Sequence, residues 1–181
     1  MTNQITPITL TTARLRLVGA DVALLRADLA GRHALGAALV AHVADTWPPE
    51  YYDTAAVQWM LNAGAALDAS NTNSPWRSYY VVFSAPTPTL VGTVGFKSAP
   101  DKHGTVEIGY SVVASFQRRG IASEAVAALI AHAYTHGATA VAAETFPELV
   151  ASLGVMRRCG LVHAGQGSEA GAVRYVHHRG G

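Results

Sequence analysis

Apolar positions along the chain fall into short runs whose period switches between two and about 3.6, the signatures of strand and helix. Leu10 to Val18 alternates, with Leu10, Leu15 and Leu17 set against Arg14 and Arg16, and predicts a first strand. Asp21 can cap a helix running to about Ala30. A second helix is expected over Ala34 to Ala44, ended by Trp47-Pro48-Pro49-Glu50, because proline cannot continue a helix. Thr54 to Asp68 predicts a third, with Val57 and Leu61 on one face, followed by a loop over Ser70 to Pro75. Trp76 to Phe83 and Thr89 to Phe96 are β-rich runs parted by Pro86 and Pro88, so a hairpin is expected. After a turn over Lys97 to Gly104, Thr105 to Val113 alternates as a further strand. Glu124 to His136 is an Ala-rich helix closed by Gly137 in the C′ position. A strand over Thr139 to Thr145, a helix over Glu148 to Arg158 entered at Pro147 and ended at Gly160, and a strand over Val173 to His177 complete the pattern, with a loose tail from His178.

Helix and strand signals alternate without a repeat. The expected class is therefore α/β (α+β): a three-layer arrangement with a mixed, mostly antiparallel sheet flanked by helices, and residues 1–181 as one domain. A chain of 181 residues is long enough to bury a substantial core. The net charge of +1 argues against a dedicated nucleic-acid binder, which carries a basic face or tail. The single cysteine, Cys159, excludes an internal disulfide and reads as a small buried residue near a helix end rather than a nucleophile. No apolar run reaches the roughly 18–20 residues a membrane span needs. Met1 to Leu10 lacks the charged start and apolar core of a signal peptide, so the cytoplasm is the expected location.

Candidate chemistry concentrates in Gln117-Arg118-Arg119-Gly120-Ile121-Ala122-Ser123. The segment joins a strand to a helix start, where free N–H groups and the helix dipole attract anions, and a diphosphate suits such a site. Gly120 lets a phosphate approach the main chain where a Cβ would obstruct it. A P-loop is not the reading, since no Lys-Ser/Thr follows the glycine. His132 and His136 are spaced for one helix face, and both are expected to face solvent rather than hold a metal.

The segments Val91 to Phe96, Val106 to Tyr110, Gln117 to Ser123, Glu144 to Glu148 and Ala151 to Leu161 together resemble the GNAT superfamily of acyl-CoA-dependent N-acetyltransferases, in particular the ribosomal-protein N-terminal acetyltransferases. The family's phosphate loop reads Gln/Arg-x-x-Gly-x-Gly/Ala, matched by Gln117, Gly120 and Ala122. The resemblance implies acetyl transfer from acetyl-CoA to a primary amine, on a small molecule or a protein N-terminus, by direct attack in a ternary complex. Backbone amides from Arg118 to Ser123 would hold the pyrophosphate, and main-chain groups at Val112 and Val113 would run beside pantetheine. Glu107 would act as general base, with an ordinary solvent-facing strand carboxylate as the alternative.

Two departures stand out. The family's tyrosine acid, four residues beyond a serine, is replaced here by Met156, which leaves Ser152 as the hydroxyl for the departing thiolate; a helix serine can equally bond its own backbone. Met156→Tyr is expected to restore the usual acid. Leu149 stands where the family commonly has an asparagine. These departures keep open a non-catalytic acyl-CoA-binding regulatory domain. Trp47, Glu50, Tyr51 and Tyr52 are candidate contacts for a cationic acceptor, or packing residues of their loop. No metal, nucleic acid or membrane is implied, and a homodimer is left open.

Overall fold

The computed structural model describes residues 8–69 and 74–180. The chain opens as a hairpin of β1 (Thr9–Thr11) and β2 (Leu15–Gly19), with Leu10 opposite Leu17. The alternation from Leu10 to Val18 predicts one strand. It is interrupted because Thr12 closes a turn, its N–H donating to Leu15 O at 2.9 Å and its Oγ1 accepting from Leu15 N–H at 3.0 Å. In α1 (Val22–Ala30), Asp21 Oδ1 caps Leu24 N–H at 2.8 Å as expected.

Helix α2 (Arg32–Leu39) ends at Val40, whose φ of 51° is left-handed, and does not reach Ala44. The chain instead enters β3 (His42–Val43), where His42 N–H donates to Pro88 O at 2.8 Å and Ala44 N–H to Leu90 O at 3.2 Å. Sheet pairing overrides the helical preference of the alanines. Helix α3 (Thr54–Ala69) follows, with Val57 in the core and Leu61, partly buried, packed against it. Of the loop expected over 70–75, residues 70–73 lie outside the described residues.

Strands β4 (Ser78–Phe83) and β5 (Thr89–Phe96) form the expected hairpin, and β6 (Thr105–Val112) lies beside β5. Then come α4 (Ile121–Thr135), β7 (Ala140–Thr145), α5 (Val150–Arg158), β8 (Val162–Gln166) and β9 (Val173–His178). Strand β8 carries no alternation, since its positions are mostly exposed, and it forms by pairing with β9 through Val162↔Val176.

The sheet runs β1-β2-β4-β5-β6-β7-β9-β8, with β3 added against β5. Its pairs are antiparallel except β3–β5 and β6–β7. The architecture is the expected mixed, mostly antiparallel sheet between two helical layers. Helices α1–α3 cover Val18, Tyr80, Val82 and Leu90 on one face. On the other, Ile121, Ala125, Val126 and Leu129 of α4 pack on Leu15, Leu17, Val106 and Ile108.

His132 of α4 does not face solvent. It is 9% exposed, set edge-on to Tyr79 with ring centroids 6.1 Å apart, and its Nε2 lies 3.2 Å from Pro75 O. Burial, with His136 stacked beside it, holds its imidazole below the usual pKa. Among the described residues, no group of three or more His, Cys, Asp or Glu side chains is placed to hold a metal ion. No described helix is long and apolar enough to cross a membrane.

Candidate active site

Strands β6 and β7 run paired from Thr105↔Ala140 to Ile108↔Ala143 and then part, although β6 continues to Val112 and β7 to Thr145. On its other edge β6 stays bonded to β5, with Lys97 N–H donating to Glu107 O at 2.8 Å and Val113 N–H to Val91 O at 2.9 Å. Antiparallel alternation therefore turns the main-chain groups of Tyr110 and Val112 toward the opening gap. Gln117 Nε2 donates to Val112 O at 2.9 Å and fixes the chain as it leaves the strand. Val113 is fully buried, and its C=O accepts from Phe116 N–H at 2.9 Å. Both of its main-chain groups are thus bonded within the protein, and it props the wall of the gap from behind.

The gap leads to the N-terminus of α4. Arg118 (φ 59°) and Gly120 (φ 77°) are both left-handed and bend the backbone around Arg119. Glu124 N–H to Gly120 O, at 3.0 Å, is the first bond of the helical ladder. The N–H groups of Ile121, Ala122 and Ser123 precede that ladder, and no side chain caps them from Gly120. Ile121 is buried and anchors the helix start. Successive outward N–H groups at a left-handed bend form an anion-binding concavity, reinforced by the helix dipole.

The turn is held from behind by Arg14. Its Nε donates to Glu124 Oε2 at 2.7 Å, its N–H to Oε1 at 2.9 Å, and its Nη1 to Arg119 O at 3.0 Å. Thr12 Oγ1 donates to the same carboxylate at 2.6 Å. Burial alone would raise the pKa of Glu124; the Thr12 and Arg14 donors outweigh it and hold the carboxyl below its usual range. Arg119 lies over the Phe116 ring at 4.7 Å, and Arg158 Nη1 donates to Ser123 Oγ at 3.2 Å. Cys159, expected to be buried, is only half-buried; it donates from Sγ to Ser123 O at 3.3 Å, and burial pushes its thiol up. Open amides, Arg119 and Arg158 beside the turn and a glycine that permits close approach suit a diphosphate.

The two remaining candidates lie on opposite faces of the sheet. Glu107 points away from α4, and both its carboxylate oxygens are engaged, Oε1 by Lys97 Nζ and Oε2 by Arg174 Nη1 at 3.2 Å. Arg174 also donates to Glu144 Oε1 at 2.6 Å, and Ser168 donates to Glu144 from its N–H and hydroxyl. Ser152, on α5, sits on the α4 face, where Tyr110 Oη lies 3.0 Å from Ser152 Oγ and 3.0 Å from Ser152 O. Sequence reasoning missed Arg14, Tyr110, Lys97, Arg158 and Arg174. Tyr110 and Arg158 stand in segments that the sequence singles out, but their partners lie 42 and 35 residues away, as those of Arg14 and Arg174 lie 110 and 67 away, and Lys97 meets Glu107 only because β5 and β6 pair.

Residues 20–162 match the acetyltransferase (GNAT) domain family. The chain belongs to the GNAT acetyltransferase family. An uncharacterized N-acetyltransferase of Bacillus subtilis (strain 168), YoaA, is 30% identical over 80 residues, which is 44% of this chain and 45% of that protein. The chain thus matches a little under half the length of this curated relative. A putative ribosomal-protein-serine acetyltransferase from Vibrio cholerae has the same fold, with a TM-score of 0.66 at 18% identity, over 97% of this chain and 100% of that one. So does the ribosomal L7/L12 α-N-protein acetyltransferase RimL in complex with coenzyme A, with a TM-score of 0.66 at 19% identity, over 94% and 98% of the two chains.

Both departures from the GNAT pattern have a structural setting. Leu149 occupies the N-cap of α5 and provides no side-chain cap there. Met156 is 1% exposed and belongs to the core, so its side chain packs inward, away from solvent. The loop before α3 is divided in role. Tyr52 is buried, with its hydroxyl donating to Asp28 Oδ2 at 2.7 Å, and Trp47 packs on it with ring centroids 5.3 Å apart. These two are packing residues rather than exposed aromatics. Glu50 O accepts from Ser111 Oγ at 2.8 Å, which ties the loop to β6. Tyr51 alone of the aromatic group projects outward, 77% exposed, and the charges of Glu50 and then Glu148 push its phenol up.

Proposed function

We propose that the protein transfers an acetyl group from acetyl-CoA to a primary amine by direct attack in a ternary complex. The observation that carries this reading is the parting of β6 from β7 beyond Ile108↔Ala143, opening onto the uncapped start of α4. Bound acetyl-CoA would supply an activated thioester carbonyl. The amides of Arg118 to Ser123, with the side chains of Arg118, Arg119 and Arg158, would hold its diphosphate. Main-chain groups of Val112 and Tyr110 would pair with the pantetheine arm, and an N–H there would polarise the carbonyl.

Glu107 lies on the face opposite α4 and would accept the amine proton, directly or through water. Lys97 and Arg174 fix where its carboxylate sits. Glu50 and Glu148, beside exposed Tyr51, set negative charge near the mouth, which favours a cationic acceptor. The similarly folded L7/L12 α-N-protein acetyltransferase makes a protein N-terminus the first acceptor class to try.

A second reading, a binding-only acyl-CoA domain, is favoured by Met156 in the core and by the ion pairs that engage both oxygens of Glu107. One experiment separates the two. Acetyl-CoA is offered with free peptide N-termini, polyamines and aminoglycosides, and products are read by mass spectrometry. Transfer predicts multiple turnovers on one acceptor, and Glu107→Gln binding acetyl-CoA normally with turnover reduced by about 10²-fold or more. Tight acetyl-CoA binding with no acetylated acceptor would establish the binding-only reading. Turnover with a Glu107→Gln rate equal to wild type would remove Glu107 from the chemistry.

A further inference from the structure

The gap between β6 and β7 has a hydroxyl pair on its helical side. Tyr110 is the first residue beyond the last β6–β7 pair whose side chain lies on the α4 face, and its Oη sits 3.0 Å from both Ser152 O and Ser152 Oγ. We propose that Tyr110 is a positioning residue that acts through Ser152, turning the serine hydroxyl into a fixed donor for the thiolate that leaves when the thioester is broken. The inference rests on the acetyl-transfer reading and adds to it a site for the leaving group.

The geometry allows a rotation. With the phenol O–H directed to Ser152 O, the serine O–H is free to donate back to Tyr110 Oη. When negative charge develops in the gap, the phenol O–H can swing to Ser152 Oγ and release the serine O–H toward that charge. Base and donor would then lie on opposite faces of the sheet, with Glu107 on the amine side and Tyr110–Ser152 on the sulfur side. An amine can approach from one face while the thiolate departs toward the other.

Acidity decides what the pair does. Burial pushes the Tyr110 phenol up to about 12, against an opposing contribution from its Ser152 hydrogen bond. A thiol titrates near about 8.5, so transfer of a proton from the phenol to a thiolate runs uphill by about three units. The pair therefore keeps its protons and stabilises sulfur as S⁻ by hydrogen bonding, in the manner of an oxyanion hole. The balance is simple. The C–S bond breaks as the C–N bond forms, the amine proton leaves through Glu107, and the thiolate later takes a proton from water. This assigns Met156 no part in the step and explains how a member of the family can dispense with a tyrosine there.

The test needs no acceptor. Coenzyme A itself is bound to the protein, and its thiol is titrated through the ultraviolet absorbance of the thiolate, against each protein alone. In wild type the bound thiol should titrate lower than in Tyr110→Phe, by about one unit, the scale of one hydrogen bond to a charge. Coenzyme A affinity should change less than about threefold, because the phenol does not hold the diphosphate. Ser152→Ala should raise the thiol pKa at least as far, and adding Tyr110→Phe to it should raise it no further. Equal titration in wild type and Tyr110→Phe, with both binding coenzyme A, overturns the inference and leaves the acetyl-transfer reading standing. If Tyr110→Phe does not fold, an unshifted Ser152→Ala overturns it instead. Failure of the wild-type chain to bind coenzyme A defeats the functional reading itself and the inference with it.

Discussion

Arg14 and Glu124 are joined in the folded chain by two contacts to one oxygen, with Arg14 Nε and Nη2 each 2.7 Å from Glu124 Oε2. The pair ties the turn of the first hairpin to the first turn of α4. Arg14 is 44% exposed at its side chain, so the ion pair by itself should add no more than about 1 kcal/mol to stability. Its larger consequence is positional, because the same guanidinium holds Arg119 O. Arg14→Ala is expected to shift the melting temperature by only a few degrees, the response of a domain to about 1 kcal/mol. Acetyl-CoA affinity should fall by about tenfold in calorimetry. Affinity at the wild-type level would show that the turn holds its shape without Arg14.

Gly120 is constrained twice, by a φ of 77° and by Arg14 Nη2 at 3.3 Å from where a Cβ would stand. Gly120→Ala should cost about 1–2 kcal/mol of stability, the strain of a left-handed alanine. Gly120→Glu adds a negative charge at the proposed diphosphate site and should abolish measurable acetyl-CoA binding in a chain that still melts cooperatively. Retained affinity in that variant would move the site elsewhere.

Met156 packs in the core, so the family's tyrosine cannot be restored there by substitution alone. Met156→Tyr is expected to lose about 1–3 kcal/mol in denaturant unfolding through overpacking, with no gain in acetyl transfer. This reverses the expectation drawn from the motif. A faster Met156→Tyr enzyme would show that the side chain reaches the gap after all.

Acid should loosen the molecule through two carboxylates. For Glu144 burial works upward, but the Ser168 donors and Arg174 outweigh it and hold its carboxyl below the usual 4.5; Glu124 is held down by Thr12 and Arg14. A carboxyl depressed in the folded state stabilises it above the unfolded pKa and loses that contribution as pH falls through the folded pKa. The melting temperature should therefore drop as pH falls below about 4.5, and Glu144→Gln should flatten part of that slope. Parallel slopes in the two proteins would mean that the Glu144 network does not set acid stability.

Much of the site was legible before folding because it is local chemistry. Gln117, Gly120 and Ala122 lie within one turn, and a glycine between a strand and a helix start carries its own torsional reason. The alternation from Thr105 onward likewise placed Glu107 opposite Ile108, and Asp21 announced the start of α1. Periodicity and capping act over a few residues, and a single sequence records them.

What the sequence could not record is which distant residues meet. Ala41 to Ala44 reads as helix, yet pairing with β5 makes it strand. Strand β8 exists only because β9 is beside it, and His132 is buried only because Tyr79 and Phe96 close over it. Arg14 reaches Glu124 across 110 positions, and Tyr110 reaches Ser152 across 42. The sequence thus determined most of the elements, the left-handed turn at Gly120 and the strand carrying Glu107, each set by torsion, capping or alternation within a few residues. Tertiary structure alone decided the parting of β6 from β7, the bracing of the turn by Arg14 and the pairing of Tyr110 with Ser152. Those depend on long-range sheet register and helix packing, which bring together residues whose separation along the chain leaves no periodic trace.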